Sequence, residues 1–99
     1  MTTTNFGMVG LGRMGANIVR RLARHNITSA VYDVSPDAVN ALAAEGALGA
    51  TDMANLASQL STPRTVWIMV PASVTESTIA AMAEHLSAGD TIIDGGNSY

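Results

Sequence analysis

The sequence predicts an α/β fold: a doubly wound parallel sheet with strands in the order 3-2-1-4-5. Three observations predict it. An apolar run, Phe6 to Val9, breaks into Gly10-Leu11-Gly12-Arg13-Met14-Gly15 and resumes as a helical pattern. A second apolar run, Ala30-Val31-Tyr32, closes on Asp33, about 20 residues beyond the second of those glycines. Apolar runs and amphipathic segments then alternate to the end of the chain, and right-handed crossovers between parallel strands lead to that order.

The first strand, Phe6 to Val9, begins almost at the N-terminus. Its glycines are spaced GxGxxG: Gly10 allows a tight turn, Gly12 lets a pyrophosphate approach bare backbone, and Gly15 lets the helix pack closely on the sheet. Leu11, Arg13 and Met14 lie between them, where the free N–H groups of a helix start face phosphates. Downstream, Met14, Ile18, Val19, Leu22 and Ala23 share one face, and Arg13, Asn17, Arg20, Arg21 and Arg24 the other. Asp33 stands where a carboxylate accepts hydrogen bonds from an adenosine ribose. A glycine-rich turn without a ligand is the plain alternative; strand, turn, helix and acidic residue in this order argue for a Rossmann-like dinucleotide site.

The first helix is expected to end around Arg24-His25-Asn26, with cations at the negative end of its dipole. Ser35 as N-cap and Pro36 at the first helical position start a second helix, with Val39, Leu42 and Ala43 inward and Gly46 ending it. Ala47-Leu48-Gly49-Ala50 is a candidate short third strand, and Thr51-Asp52 caps a short helix carrying Leu56 and Leu60, closed by Thr62-Pro63. Thr65 to Val70 reads as a central strand covered on both faces. Val70-Pro71-Ala72 ends it on the edge of the glycine turn, and Ser73 and Glu76 have capping-box spacing for a helix burying Ile79, Met82, Ala83 and Leu86. Thr91-Ile92-Ile93 is the last strand, stopping at Asp94-Gly95-Gly96-Asn97-Ser98-Tyr99. The six methionines, Met14 among them, and Trp67 are read as core. His25 and His85 are read as helix residues rather than catalysts.

Ninety-nine residues make one small domain able to bury roughly 60–70% of its unfolded surface. The chain is 47% hydrophobic, yet no apolar run approaches the ~20 residues of a membrane span, so no membrane partner is expected. Zero cysteines remove disulfides and thiolate metal sites, fit a cytoplasmic protein, and leave no metal in the expectation. A net charge of −3 offers no basic field for nucleic acid.

The stretches GMVGLGRMGANIVRRLA, VYDVSPDAVNAL, RTVWIMVPA and GDTIIDGGNSY together resemble the N-terminal region of decarboxylating 6-phosphogluconate dehydrogenases, within the β-hydroxyacid dehydrogenase superfamily. The resemblance covers essentially the whole chain. GLGRMG is shared across the superfamily, whereas IIDGGNS is far more specific to the phosphogluconate branch; sibling 3-hydroxyacid dehydrogenases carry an Asp-x-Ser-Thr pattern there. The resemblance implies oxidation of 6-phosphogluconate by hydride transfer to NAD or NADP, then loss of carbon dioxide to give ribulose 5-phosphate. It implies that Gly10, Gly12, Gly15, Asp33 and Val70-Pro71-Ala72 contact cofactor, and that Asn97 lies where cofactor and substrate meet. NADP-preferring members place an arginine just after the second strand; Val34-Ser35-Pro36 stands there, so NAD is the expected cofactor. The small-molecule partner is 6-phosphogluconate, in a full-length homo-oligomer. Ser73 departs from the family, which has a glycine in its place, and the family's catalytic lysine and helical domain lie beyond a point equivalent to Tyr99. The chain itself has no lysine. The expectation is therefore a truncated cofactor-binding part without turnover of its own. A 3-hydroxyacid dehydrogenase fragment and a non-catalytic NAD-sensing module are the alternatives.

Overall fold

The computed structural model describes residues 4–95. Its elements run β1 (Phe6–Val9), α1 (Arg13–Arg24), β2 (Ser29–Tyr32), α2 (Pro36–Ala43), β3 (Leu48–Gly49), α3 (Met53–Ser58), β4 (Thr65–Ile68), α4 (Ala72–Ala83) and β5 (Thr91–Asp94). The five strands form one parallel sheet in the expected order, β3-β2-β1-β4-β5. β1 lies at its centre, with Phe6–Val9 in register with Ser29–Tyr32 on one side and Thr65–Ile68 on the other.

Alternation along the strands divides the core into two layers. Val9, Ala30, Val66 and Ile68 meet Leu56, Ala57 and Leu60 of the α3 region and Met82 of α4. Met8 and Val31 turn the other way, toward Ala16 and Val19 of α1 and Val39 and Leu42 of α2. Each fully buried side chain of this size, such as Leu56 or Ile68, contributes about 1.5–3 kcal/mol relative to exposure.

Local chemistry sets the helix starts. Ser35 Oγ accepts from Ala38 N with Pro36 following, and Asp52 Oδ1 accepts from Asn55 N at 2.7 Å, so α2 and α3 begin as their caps predict. The expected Ser73/Glu76 capping box does not form. Pro71 supplies the extended residue that starts α4, which has no side-chain cap. The nearby hydroxyls are engaged elsewhere: Thr75 Oγ1 donates to Pro71 O, and Ser77 Oγ and Thr78 Oγ1 to Val74 O.

Further expectations are corrected. β4 stops at Ile68 because β1 turns away at Gly10; Met69 N takes the carbonyl of Val9, the last acceptor β1 offers. The strand is covered on both faces as expected, but unequally: Val66 and Ile68 are buried in one layer, whereas Trp67 packs half-buried on the other. Met14 is not core: it is 56% exposed, because α1 directs Gly15, Ala16 and Val19 at the sheet. Ala23, Ala43 and Ala83 are exposed as well, while Ile79 and Leu86 pack half-buried on the layer of Val66, Ile68 and Met82.

Candidate cofactor site

The site grows from the end of β1. Gly10 takes φ +98°, and a Cβ there would overlap the carbonyl of Met69. Only glycine makes that turn without strain. Gly10 N donates to Tyr32 O at 2.9 Å, tying the turn to the end of β2. Leu11 sends its side chain into the core beside Met8 and Val31, while its N–H donates to Asp33 Oδ2 at 2.6 Å. Asp33 Oδ1 accepts from Ser35 N at 2.8 Å.

Gly12 is the N-cap residue of α1, and a Cβ built on it meets nothing within 4 Å. Gly15 is the opposite case: its Cβ would overlap the carbonyl of Gly10, so the first turn of α1 folds down onto the glycine turn only because Gly15 has no side chain. No side chain caps the start of α1, and no acidic residue occupies its first turn. The positive end of the helix dipole and the N–H groups of the first turn are therefore left to an incoming anion.

These groups open on a cleft of about 810 Å³. It lies at the carboxyl ends of β1, β2 and β4, where the strand order reverses, the position at which such sheets bind ligands. Gly10, Gly12, Met14 and Gly15 line one side, Asp33 and Val34 another, and Met69, Val70, Pro71 and Ala72 the wall opposite, with Met53, Val74 and Thr78 completing it. Eight of the eleven residues named from the sequence thus come together in the cleft. Leu11 does not line it, its N–H being taken by Asp33; Arg13 is exposed and does not line it, and Asn97 lies outside the described residues.

The apolar lip was not legible in the sequence. Val34, 89% exposed, and Val74, 43% exposed, face the cleft from the starts of α2 and α4. The one signal available was an apolar residue directly after Asp33 with no place in any core pattern. Trp67 does not line the cleft; it packs edge-on to Phe6 at a centroid distance of 6.3 Å. Gly95 lies so close over its indole that a Cβ would overlap the ring. Gly95 thus answers to a packing neighbour, the Trp67 indole. A second hollow, of about 610 Å³, lies between the ends of α1 and α2 at the opposite edge of the sheet. Among the described residues no cluster of His, Cys, Asp or Glu could hold a metal ion, and no helix is long and apolar enough to cross a membrane.

Residues 5–99 match the family model described as the NAD-binding domain of 6-phosphogluconate dehydrogenase. The chain belongs to this family. Among its relatives, an NAD(+)-dependent decarboxylating 6-phosphogluconate dehydrogenase of Haloferax volcanii is 38% identical over 94% of the chain and 31% of its own length. A decarboxylating 6-phosphogluconate dehydrogenase of Aggregatibacter actinomycetemcomitans is 38% identical over 95% of the chain and 21% of its own length. The chain thus spans less than a third of either relative. Among solved structures, a reductive aminase from Aspergillus terreus in complex with NADPH and ethyl levulinate superposes with a TM-score of 0.78 at 25% identity, covering 97% of this chain and 33% of that one. The 6-phosphogluconate dehydrogenase-family domain is therefore of an oxidoreductase type whose relatives' names include both NAD and NADPH.

Proposed function

We propose that this chain is the cofactor-binding part of an NAD-preferring 6-phosphogluconate dehydrogenase, which oxidises and decarboxylates 6-phosphogluconate to ribulose 5-phosphate. The observation that carries the NAD-binding part is the open, uncapped start of α1 beside Asp33, with clear space over Gly12. The donor set fits a dinucleotide: uncapped N–H groups suit the pyrophosphate, and Asp33 suits the adenosine ribose. When bound, the nicotinamide supplies a hydride acceptor. The chain's own residues do the holding. The glycine turn and first turn of α1 orient the phosphates, Met14 and Val34 with the Val70-Pro71-Ala72 wall exclude water, and Asn97 is assigned to the meeting point of cofactor and substrate. Acid–base groups for the oxidation belong to the portion of the relatives that this chain does not span. The sequence Gly95-Gly96-Asn97-Ser98 favours the phosphogluconate branch over 3-hydroxyacid dehydrogenases. The reading carries with it a full-length homo-oligomer and a cytoplasmic location.

Preference for NAD follows from charge. The extra phosphate of NADP would bring about two negative charges against Asp33, and the corner that follows, Val34-Ser35-Pro36, holds no cation to offset them. Two unit charges ~4 Å apart repel by about 4 kcal/mol at an effective dielectric of 20, and screening in an open cleft leaves about half of that. That corresponds to NAD binding about 30-fold more tightly. The test is calorimetric titration of both cofactors at one salt concentration, with Asp33→Asn/Val34→Arg alongside. The preference should move toward NADP in the double variant. Equal or tighter binding of NADP by the unsubstituted chain overturns the assignment.

A further inference from the structure

We propose that Asp33 is a positioning residue for the glycine turn: its carboxylate holds the turn in the shape that receives a pyrophosphate, separately from any bond it makes to a ribose. The inference rests on the dinucleotide reading of the cleft, and it starts from where the carboxylate is already engaged. Leu11 lies between Gly10 and Gly12, the two most permissive backbone positions of the turn. Left alone, such a segment samples many conformations. Its N–H is held at 2.6 Å by Asp33 Oδ2, a short charge-assisted bond, while Gly10 N is held by Tyr32 O at 2.9 Å. The turn is thereby pinned at two successive residues to the end of β2.

The same carboxylate reaches a third element. Its Oδ1 accepts from Ser35 N at 2.8 Å, and Ser35 is the N-cap of α2. One side chain thus couples the β1–α1 turn, the end of β2 and the start of α2. Acceptor capacity allows both roles, since an ionised carboxylate has about four lone-pair sites and, among the described residues, Leu11 and Ser35 take two of them. Leu11 is 7% exposed, so its N–H has little access to water as a substitute partner. Removal of the carboxylate frees a turn that the pyrophosphate needs fixed. Affinity then falls by the fraction of chains whose turn remains competent.

The experiment uses the 99-residue chain, its Asp33→Ala and Asp33→Asn variants, and two probes: NAD and the NAD analogue whose adenosine ribose lacks both hydroxyls. A residue that acts only on those hydroxyls leaves the analogue's affinity unchanged on substitution. A positioning residue weakens the analogue too, here by about tenfold, in line with the loss of one charged hydrogen bond. Asparagine keeps a single acceptor oxygen for two N–H groups, so it should fall between alanine and aspartate. Amide hydrogen exchange gives a readout that needs no ligand: Leu11 N–H should be protected in the unsubstituted chain and exchange faster in both variants. Unchanged analogue affinity in the variants overturns the inference, and so does an unprotected Leu11 amide in the unsubstituted chain, a result that stands even if a variant does not fold. Failure of the unsubstituted chain to bind NAD instead sinks the dinucleotide reading, while the Leu11 amide still decides whether the tie exists.

Discussion

At Gly10 the backbone needs φ +98° and room for the Met69 carbonyl; at Gly15 it needs room for the carbonyl of Gly10; at Gly12 it needs neither, since φ is −67° and the Cβ direction is empty. Stability and ligand binding should therefore separate within one motif. Gly10→Ala and Gly15→Ala force backbone apart and should each lower stability by about 1–3 kcal/mol, the ordinary cost of overpacking. Gly12→Ala should change stability by less than about 0.5 kcal/mol, as exposed substitutions do. It should nevertheless weaken NAD binding at least tenfold, because the new methyl stands where the pyrophosphate approaches bare backbone. Urea melts and NAD titrations of the three variants check this, and a Gly12→Ala chain that binds NAD normally contradicts the proposed role of that space.

Pairs of elements are held together by charged groups of different value. Arg20 and Glu45 join α1 to the segment after α2 with bonds of 2.9 and 3.0 Å, but both side chains are 40% or more exposed, so solvent screens the pair and little stability rests on it. Arg64 and Asp90, at the starts of β4 and β5, differ: their side chains are 14% and 2% exposed. Asp90 accepts from Arg64 N, Arg64 Nε and Ser87 N, while Arg64 also donates to Ala57 O. The backbone N–H groups of Arg64 and Ser87, followed by the Arg64 guanidinium, hold the Asp90 carboxyl below its ordinary value. A depressed carboxyl stabilises the fold fully above its unfolded value of about 3.9 and loses that contribution as pH falls toward the folded value. Asp90→Asn should thus be less stable than the unsubstituted chain at pH 7, by a margin that is flat above about pH 5 and shrinks through pH 4 and below. Urea melts across that range decide it; a margin independent of pH contradicts the account. The caps at Ser35 and Asp52 were legible in the sequence because an N-cap acts on an N–H two or three residues away. The length of β4 and the start of α4 were not, since the first depends on where β1 turns and the second on Pro71 acting before any side-chain cap. Val34 and Val74 were illegible for a related reason: the carboxyl edge of the sheet brings them together from distant stretches of chain.

The sheet as a whole is unevenly covered. β1 is flanked by strands on both sides and packed on both faces, whereas β5 pairs with β4 alone and leaves Thr91, Ile93 and Asp94 exposed. The cleft holds the glycine turn and Asp33 but no lysine, and correct positioning with acid–base catalysis supplies many powers of ten in rate. The 99-residue chain should therefore bind NAD yet leave 6-phosphogluconate unoxidised, with absorbance of the reduced nicotinamide no higher than in a heat-treated control. The uneven cover also bears on stability. An edge strand offers unpaired N–H and C=O groups to other chains, and Ile93, 38% exposed, adds apolar surface beside them. Only Ile92 of this strand is even partly buried, so little apolar contact opposes its release. Amides of β5 should accordingly exchange through a low-energy opening well before those of β1 and β4, and the chain should associate as its concentration rises. Hydrogen exchange read residue by residue, together with sedimentation over a concentration series, tests both halves. A concentration-independent monomer whose β5 amides are as protected as those of β1 would show that β5 needs no further cover.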